Sequence, residues 1–196
     1  MLTTKKLIDL FLDLPSYLLN TIQLKLFKIQ VGGASKVNGY AHFRNKGVFI
    51  IGENVTINSG IKYNQTGGQF LTSIVVTKNA HFVIGENSGL SNSSIYCAKS
   101  ITIGENVMIG GGCRIFDTDF HSLNYLERFS KNDSGKSKSV IIKDGAFIGA
   151  GVIILKGTIV GSKSVIGAGS VVSGVVPDSQ IWAGNPATFI RNISGE

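Results

Sequence analysis

The chain is poor in the residues that fasten secreted domains. Its two cysteines in 196 residues cannot build a disulfide framework, which excludes the small stapled scaffolds of oxidising compartments and leaves a reducing cytoplasm as the default expectation. No apolar run is long enough to span a membrane. Acidic residues are also scarce: 12 Asp and Glu stand against 19 Lys and Arg, a net charge of +7, so an anionic partner is expected. No basic stretch interleaved with aromatics and no recognition-helix or zinc pattern accompanies that charge. Nucleic acid is therefore set aside in favour of a phosphorylated cofactor or an anionic membrane surface. What the chain does have is 25 glycines beside only three prolines, 43% hydrophobic residues and a mean hydropathy of +0.22. These point to one well-buried domain of short strands and tight corners.

From Ile142 to Pro177 the sequence repeats every six residues: IKDGAF, IGAGVI, ILKGTI, VGSKSV, IGAGSV, VSGVVP. A branched aliphatic residue opens each unit (Ile142, Ile148, Ile154, Val160, Ile166, Val172). Four places on stands a small or β-branched one (Ala146, Val152, Thr158, Ser164, Ser170, Val176). A period of six is neither helical nor that of a plain strand. It suits a triangular coil of three short strands and three corners, roughly eighteen residues per turn, whose inward residues stack about 4.8 Å apart. The period begins imperfectly near Val37, with Ile51 and Ile57, then Ile84, Leu90 and Tyr96. It restarts after a one-residue slip at Ile103, Ile109 and Ile115. Gly-Glu-Asn follows an isoleucine at Gly52, Gly85 and Gly104; Gly and Asn both tolerate the left-handed backbone of sharp corners.

Two stretches depart from the coil, which is assigned to residues 37–193. Residues 1–30 carry apolar residues at helical spacing, among them Leu18, Ile22, Leu26 and Ile29. Pro15 is expected to separate or kink two helices, with Ser16 capping the second. They either cap an open coil end or pack on a neighbouring subunit, or they lie on a membrane surface with Lys25 and Lys28 towards headgroups. Lys5 and Lys6 resemble the start of a secretory leader, but Asp9 and Asp13 interrupt its apolar region. The second departure, residues 117–140, is polar and aperiodic, and a loop this long in a repeat domain is functional or disordered.

His121 continues the register 103, 109, 115 at the point where coil gives way to loop, and follows Asp117 and Asp119. A histidine on a rigid rim with a carboxylate to fix its tautomer is a plausible general base; otherwise it is a solvated loop residue. His42 and His81 have no acidic neighbour in sequence. Cys113 falls on an inward small position, as a packed thiol would.

The segments ITIGENVMIGGGCRIFDTDFH, IIKDGAFIGAGVIILKGTIVGSKSVIGAGSVV and VPDSQIWAGNPATFIR resemble the hexapeptide-repeat acyltransferases over residues 48–193. That resemblance implies an all-β, left-handed parallel β-helix and a CoA-dependent enzyme whose three sites lie between the subunits of a homotrimer. It implies His121 as the catalytic histidine, helped by Asp119 in preference to Asp117. Ala150 and Ala168 would meet the pantetheine arm of acetyl-CoA, and Arg191 its nucleotide phosphates. Ser173 and Gly174 replace a Thr-Lys pair of the family at another cofactor-binding place, and Thr188 replaces a second arginine; Lys156 or Lys163 could substitute for these. Asn92 matches a position that contacts the acceptor sugar in the galactoside enzyme, or serves only turn geometry. Phe147 and Trp182 would line the site.

The implied reaction is acetyl transfer to a sugar hydroxyl without an acyl-enzyme. Weaker resemblance of the start, VNGYAHFRNKGVFIIGENVTINSG, implies capsule, exopolysaccharide or lipopolysaccharide biosynthesis. Serine or amino-sugar N-acetylation and a non-catalytic scaffold are the alternatives. Zinc hydration chemistry, which some relatives of this coil perform with three histidines, is disfavoured because His42, His81 and His121 include no close pair, so no metal is expected.

Overall fold

The computed structural model describes residues 4–131 and 133–193, with side chains from residue 13 onward. After one helix, Thr4–Leu26, the chain winds as short strands into a three-faced prism. Face A stacks seven strands from Gln30–Val31 to Val175–Val176, face B eight from Lys36–Asn38 to Ala187–Asn192, and face C six from His42–Asn45 to Val171–Val172. Among the described residues every pairing between strands of the prism is parallel except the last, where Gln180–Gly184 and Ala187–Asn192 form an antiparallel hairpin. The architecture is the left-handed parallel β-helix expected from the sequence.

The repeat works through its columns. Ile51, Ile84, Ile103, Ile142, Val160 and Val176 stack up face A. Ile57, Leu90, Ile109, Ile148 and Ile166 do so on face B, and Phe43, Ile74, Ile95, Ile115, Ile154 and Val172 on face C. All are buried, and each fully buried side chain of this size contributes about 1.5–3 kcal/mol. The inward hydroxyls are satisfied: Thr158 donates to Leu155 O, Ser164 to Pro177 O and Ser170 to Gly167 O.

Three expectations need correction. The face-C column holds Ile95, not Tyr96, which points outward and is half-buried. The shift arises because Ser94–Cys97 follows a five-residue step from Leu90. Pro15 does not separate two helices; Thr4–Leu26 is one helix with Pro15 inside it, and Ser16 caps nothing. In Gly-Glu-Asn the two special residues do different things. Asn54, Asn87 and Asn106 take the left-handed conformation at the A/B edge, where Gly145 and Lys163 follow suit in later coils. Gly52, Gly85 and Gly104 do not; they are small because the next coil is close, a Cβ on Gly85 meeting Gly104 C at 2.6 Å.

The helix closes the amino-terminal end. Strand His42–Asn45 has no strand beneath it on face C, and side-chain amides stand in for one. Asn20 donates to Gly39 O at 2.8 Å and accepts from Ala41 N. Gln23 donates to Ala41 O and accepts from Phe43 N. Leu24 and Phe27 pack on the core. No helix among the described residues is long and apolar enough to cross a membrane.

Candidate active site

Two segments leave the coil. The expected one departs from the C/A edge after Arg114–Phe116 and returns at Val140–Ile142. The other, residues 59–72, leaves the B/C edge between Thr56–Asn58 and Ser73–Val76 and was not anticipated; its run YNQTGGQ was the available signal.

The neck of the C/A loop is held by backbone bonds, Lys138 N donating to Asp117 O and Asp119 N to Lys136 O. The three carboxylates near His121 have separate tasks. Asp117 is fully buried and accepts from the amides of Ala98, Lys99 and Ser100 at 2.6–2.7 Å, so it fastens the edge below. Asp119, the expected partner of the catalytic histidine, instead pairs with Lys156 Nζ at 2.6 Å, and only its backbone carbonyl meets His121, accepting from the His121 N–H. The carboxylate on the imidazole is Asp133: its Oδ2 lies 2.5 Å from His121 Nδ1, while its Oδ1 accepts from Ser122 N at 2.7 Å. That amide first, and then the ring, hold the Asp133 carboxyl below the usual carboxylate range. An ionised carboxylate can only accept, so Nδ1 carries the hydrogen, and in the neutral ring the lone pair is on Nε2. The His121 side chain is 70% exposed, open to a second molecule.

The loop is built to place Asp133. A short helix, Tyr125–Arg128, is capped by Asn124, whose side chain accepts from Leu126 N. Ser122 Oγ donates to Glu127, and Arg128 Nε donates to Ser122 O. Phe120, before the histidine, sits at φ +65°, a conformation rare for a bulky side chain and characteristic of functional sites. Its ring lies 5.0 Å from that of Tyr96 and 5.3 Å from that of Phe116.

The remaining expected site residues are spread over other parts of the prism. Ser173 lies on the C/A edge, as does Lys156. Ala150 and Ala168 lie one coil apart on the B/C edge, where their N–H groups make no hydrogen bond among the described residues. Arg191 is exposed on the terminal hairpin. One chain therefore does not bring Ala150 and Ala168 to its own His121. Asn92 is 1% exposed and its amide is fully engaged: it accepts from Gly60 N and donates to Asn64 O and Gly68 O. It organises the 59–72 extrusion and offers nothing to a substrate. Neither thiol is a nucleophile. Both are buried; burial first, and then Asp117, push Cys97 up to about 12, and burial raises Cys113.

Comparison with known proteins bears on the fold. Residues 139–174 match the family model of the bacterial transferase hexapeptide, six repeats. A Schizosaccharomyces pombe protein that bears the name of an acetyltransferase is 42% identical over 96 residues, which are 49% of this chain and 45% of that protein; the chain thus matches about half the length of this relative. Among solved structures, a hexapeptide-repeat acetyltransferase of Vibrio cholerae is 23% identical over 92% of this chain and 82% of its own, with a TM-score of 0.60. The Bacillus cereus N-acyltransferase AntD, solved with dTDP-4-amino-4,6-dideoxyglucose and coenzyme A, is 20% identical over 89% of each chain, TM-score 0.70. A galactoside acetyltransferase solved with coenzyme A is 22% identical over 89% of this chain and 70% of its own, TM-score 0.53. The resemblance to hexapeptide-repeat transferases is borne out, and the fold is theirs.

Proposed function

We propose that the protein is an acetyl-CoA-dependent acetyltransferase that esterifies a sugar hydroxyl, with His121 as general base. The observation that carries this reading is the His121–Asp133 pair: a carboxylate on Nδ1 and a free Nε2, on a rigid rim at the coil edge, is what proton removal from a hydroxyl requires. Acetyl-CoA would supply the activated acyl group. The B/C edge suits its pantetheine arm: small residues leave the backbone accessible, and a Cβ added at Gly169 meets nothing within 4 Å. Arg191 is placed for phosphate, which its planar fork suits. His121 Nε2 takes the hydroxyl proton as the oxygen attacks the thioester carbonyl, Asp133 holds the ring and balances its positive charge, and the Ala150 or Ala168 N–H is available to the developing negative oxygen. The C–S bond then breaks, and the coenzyme A thiolate leaves with the proton that His121 took. The transfer is direct, since neither buried thiol is accessible to form a covalent acyl-enzyme.

Because these groups lie on two edges of one prism, the reading requires an assembly that sets the B/C edge of one copy against the C/A edge of another, which a homotrimer supplies. The helix supports a place at a membrane surface, where a polysaccharide precursor carried on lipid would be met. Leu18, Ile22 and Leu26 are half or more exposed along one stripe, Lys25 lies in the last turn of the helix, and Lys28 follows just after it. Lys5, Lys6 and Asp9 lie outside the described side chains. Sedimentation with anionic liposomes checks this, with loss of binding expected in Ile22→Asp and no binding at low salt counting against it.

Release of coenzyme A thiol across a panel of sugars, amino sugars and serine tests the activity itself. A product whose acetyl group is removed by mild alkali is the expected ester. An alkali-stable amide would move the assignment to N-acetylation, and no turnover with any acceptor would favour a scaffold.

A further inference from the structure

Charge is unevenly distributed along the prism. Residues 14–104 hold eight Lys and Arg but only two acids, Glu53 and Glu86, and both acids sit on the A/B edge in Gly-Glu-Asn corners. The C/A edge below the His121 loop carries Lys46, Lys78 and Lys99 on successive coils. On face C a surface cavity of about 450 Å³ is lined by His42, Arg44, Lys46, Thr77, Lys78 and Tyr96. No carboxylate pairs with Arg44, Lys46 or Lys78 among the described residues. Three unpaired cations and an imidazole around one concavity exceed what a single carboxylate needs; they match a group with several negative charges, and the arginine fork suits phosphate oxygens.

The cavity leads to the base. On the outward side of face C, Arg44, Val75, Tyr96 and Phe116 stand in one column, and Ser73 and Ser94 lie beside it between His42 and Arg114. Tyr96 and Phe116 both touch Phe120, the residue before His121. From the middle of the cavity to Phe116 is two rungs, ~10 Å, the length of a hexose joined to a diphosphate. Aromatic rings give such a sugar an apolar floor, and the two serines give it hydroxyl partners.

Resting on the reading of His121 as the base, we propose that face C is the acceptor site and that the acceptor is a sugar carried on a diphosphate. The anionic end lies among Arg44, Lys46, Lys78 and His42, the sugar lies on Tyr96 and Phe116, and its hydroxyl reaches His121. The diphosphate belongs either to a soluble nucleotide or to a membrane lipid, and the two are separable.

Calorimetry on the full chain with inorganic pyrophosphate is expected to show salt-sensitive binding. Arg44→Ala and Lys78→Ala should each weaken it about tenfold, and Lys36→Ala, which removes the same charge outside the cavity, should leave it unchanged. Tighter binding of UDP or dTDP than of pyrophosphate identifies a nucleotide-borne acceptor. Retention on phosphatidylcholine vesicles only when they contain a polyprenyl diphosphate, lost in Arg44→Ala, identifies a lipid-borne one. The proposal is overturned if none of these probes binds, or if the Arg44 and Lys78 variants bind pyrophosphate as the unaltered protein does. Coenzyme A binding, measured in parallel, keeps the two readings apart. Its presence without diphosphate binding overturns this inference alone, and its absence speaks against the acetyltransferase reading.

Discussion

Three aspartates within seventeen residues show how burial and partners assign roles to one side-chain type. Asp117 accepts from three amides in a fully buried place, so Asp117→Ala leaves those donors unsatisfied and should cost about 3 kcal/mol or more in a denaturant titration. Asp119 steadies the neck through Lys156, and Asp133 holds the imidazole. Asp133→Asn should therefore lower turnover about tenfold to a hundredfold with the fold retained, and Asp119→Asn should lower it much less; the reverse order in steady-state kinetics would return Asp119 to the role first expected of it. The depressed carboxyl of Asp133 also makes a pH statement. Its contribution is fully present above the unfolded value of about 3.9 and is lost as the pH falls through the lower folded value. The hydrogen-exchange protection factor of the Ser122 amide, which donates to Asp133, should hold at neutral pH and fall as the pH drops through that lower value. Asp133 was not legible in the sequence, since it lies twelve residues beyond His121 in an aperiodic loop. His121 was, because it extends the six-residue register to the point where that register fails.

At the scale of elements, the coil was legible wherever each strand is only as long as the hexad allows. From Ile142 onward every opener is in its column. In the earlier coils strands lengthen to four residues, as at Ser94–Cys97, and the shift displaced Tyr96 from the core position it seemed to hold. Asn92 looked equally suited to substrate or to a turn, because only the fold reveals the 59–72 extrusion that uses its amide. The helix has a task that hydrophobic spacing could not show. Asn20 and Gln23 sit three residues apart, on the side that meets the open edge of His42–Asn45, and act as its missing neighbour. Asn20→Ala and Gln23→Ala should each cost about 1–3 kcal/mol in thermal or denaturant unfolding, against a near-neutral Ile22→Ala on the exposed stripe. Equal effects at the three positions would mean that the helix caps by apolar packing alone.

For the whole molecule, the prism keeps the groups of the proposed reaction on separate edges: small residues on B/C for the proposed coenzyme, His121 and its loop on C/A, and acidic corners on A/B. The proposed reaction requires a site assembled between copies, and that requirement can be tested by complementation. Ala168→Trp should obstruct one wall and His121→Ala should remove the base. Mixing the two inactive variants before refolding should restore part of the turnover, because some sites then combine two intact edges. No recovery would place each site within a single chain.

The most direct measurement is the rate of acetyl-CoA-dependent thiol release by His121→Ala with the best acceptor found. The expected result is a loss of about 10²–10⁴-fold, with coenzyme A affinity and thermal stability unchanged. Undiminished turnover in that variant would contradict the assignment of His121, and with it the acetyl transfer proposed at this edge of the coil.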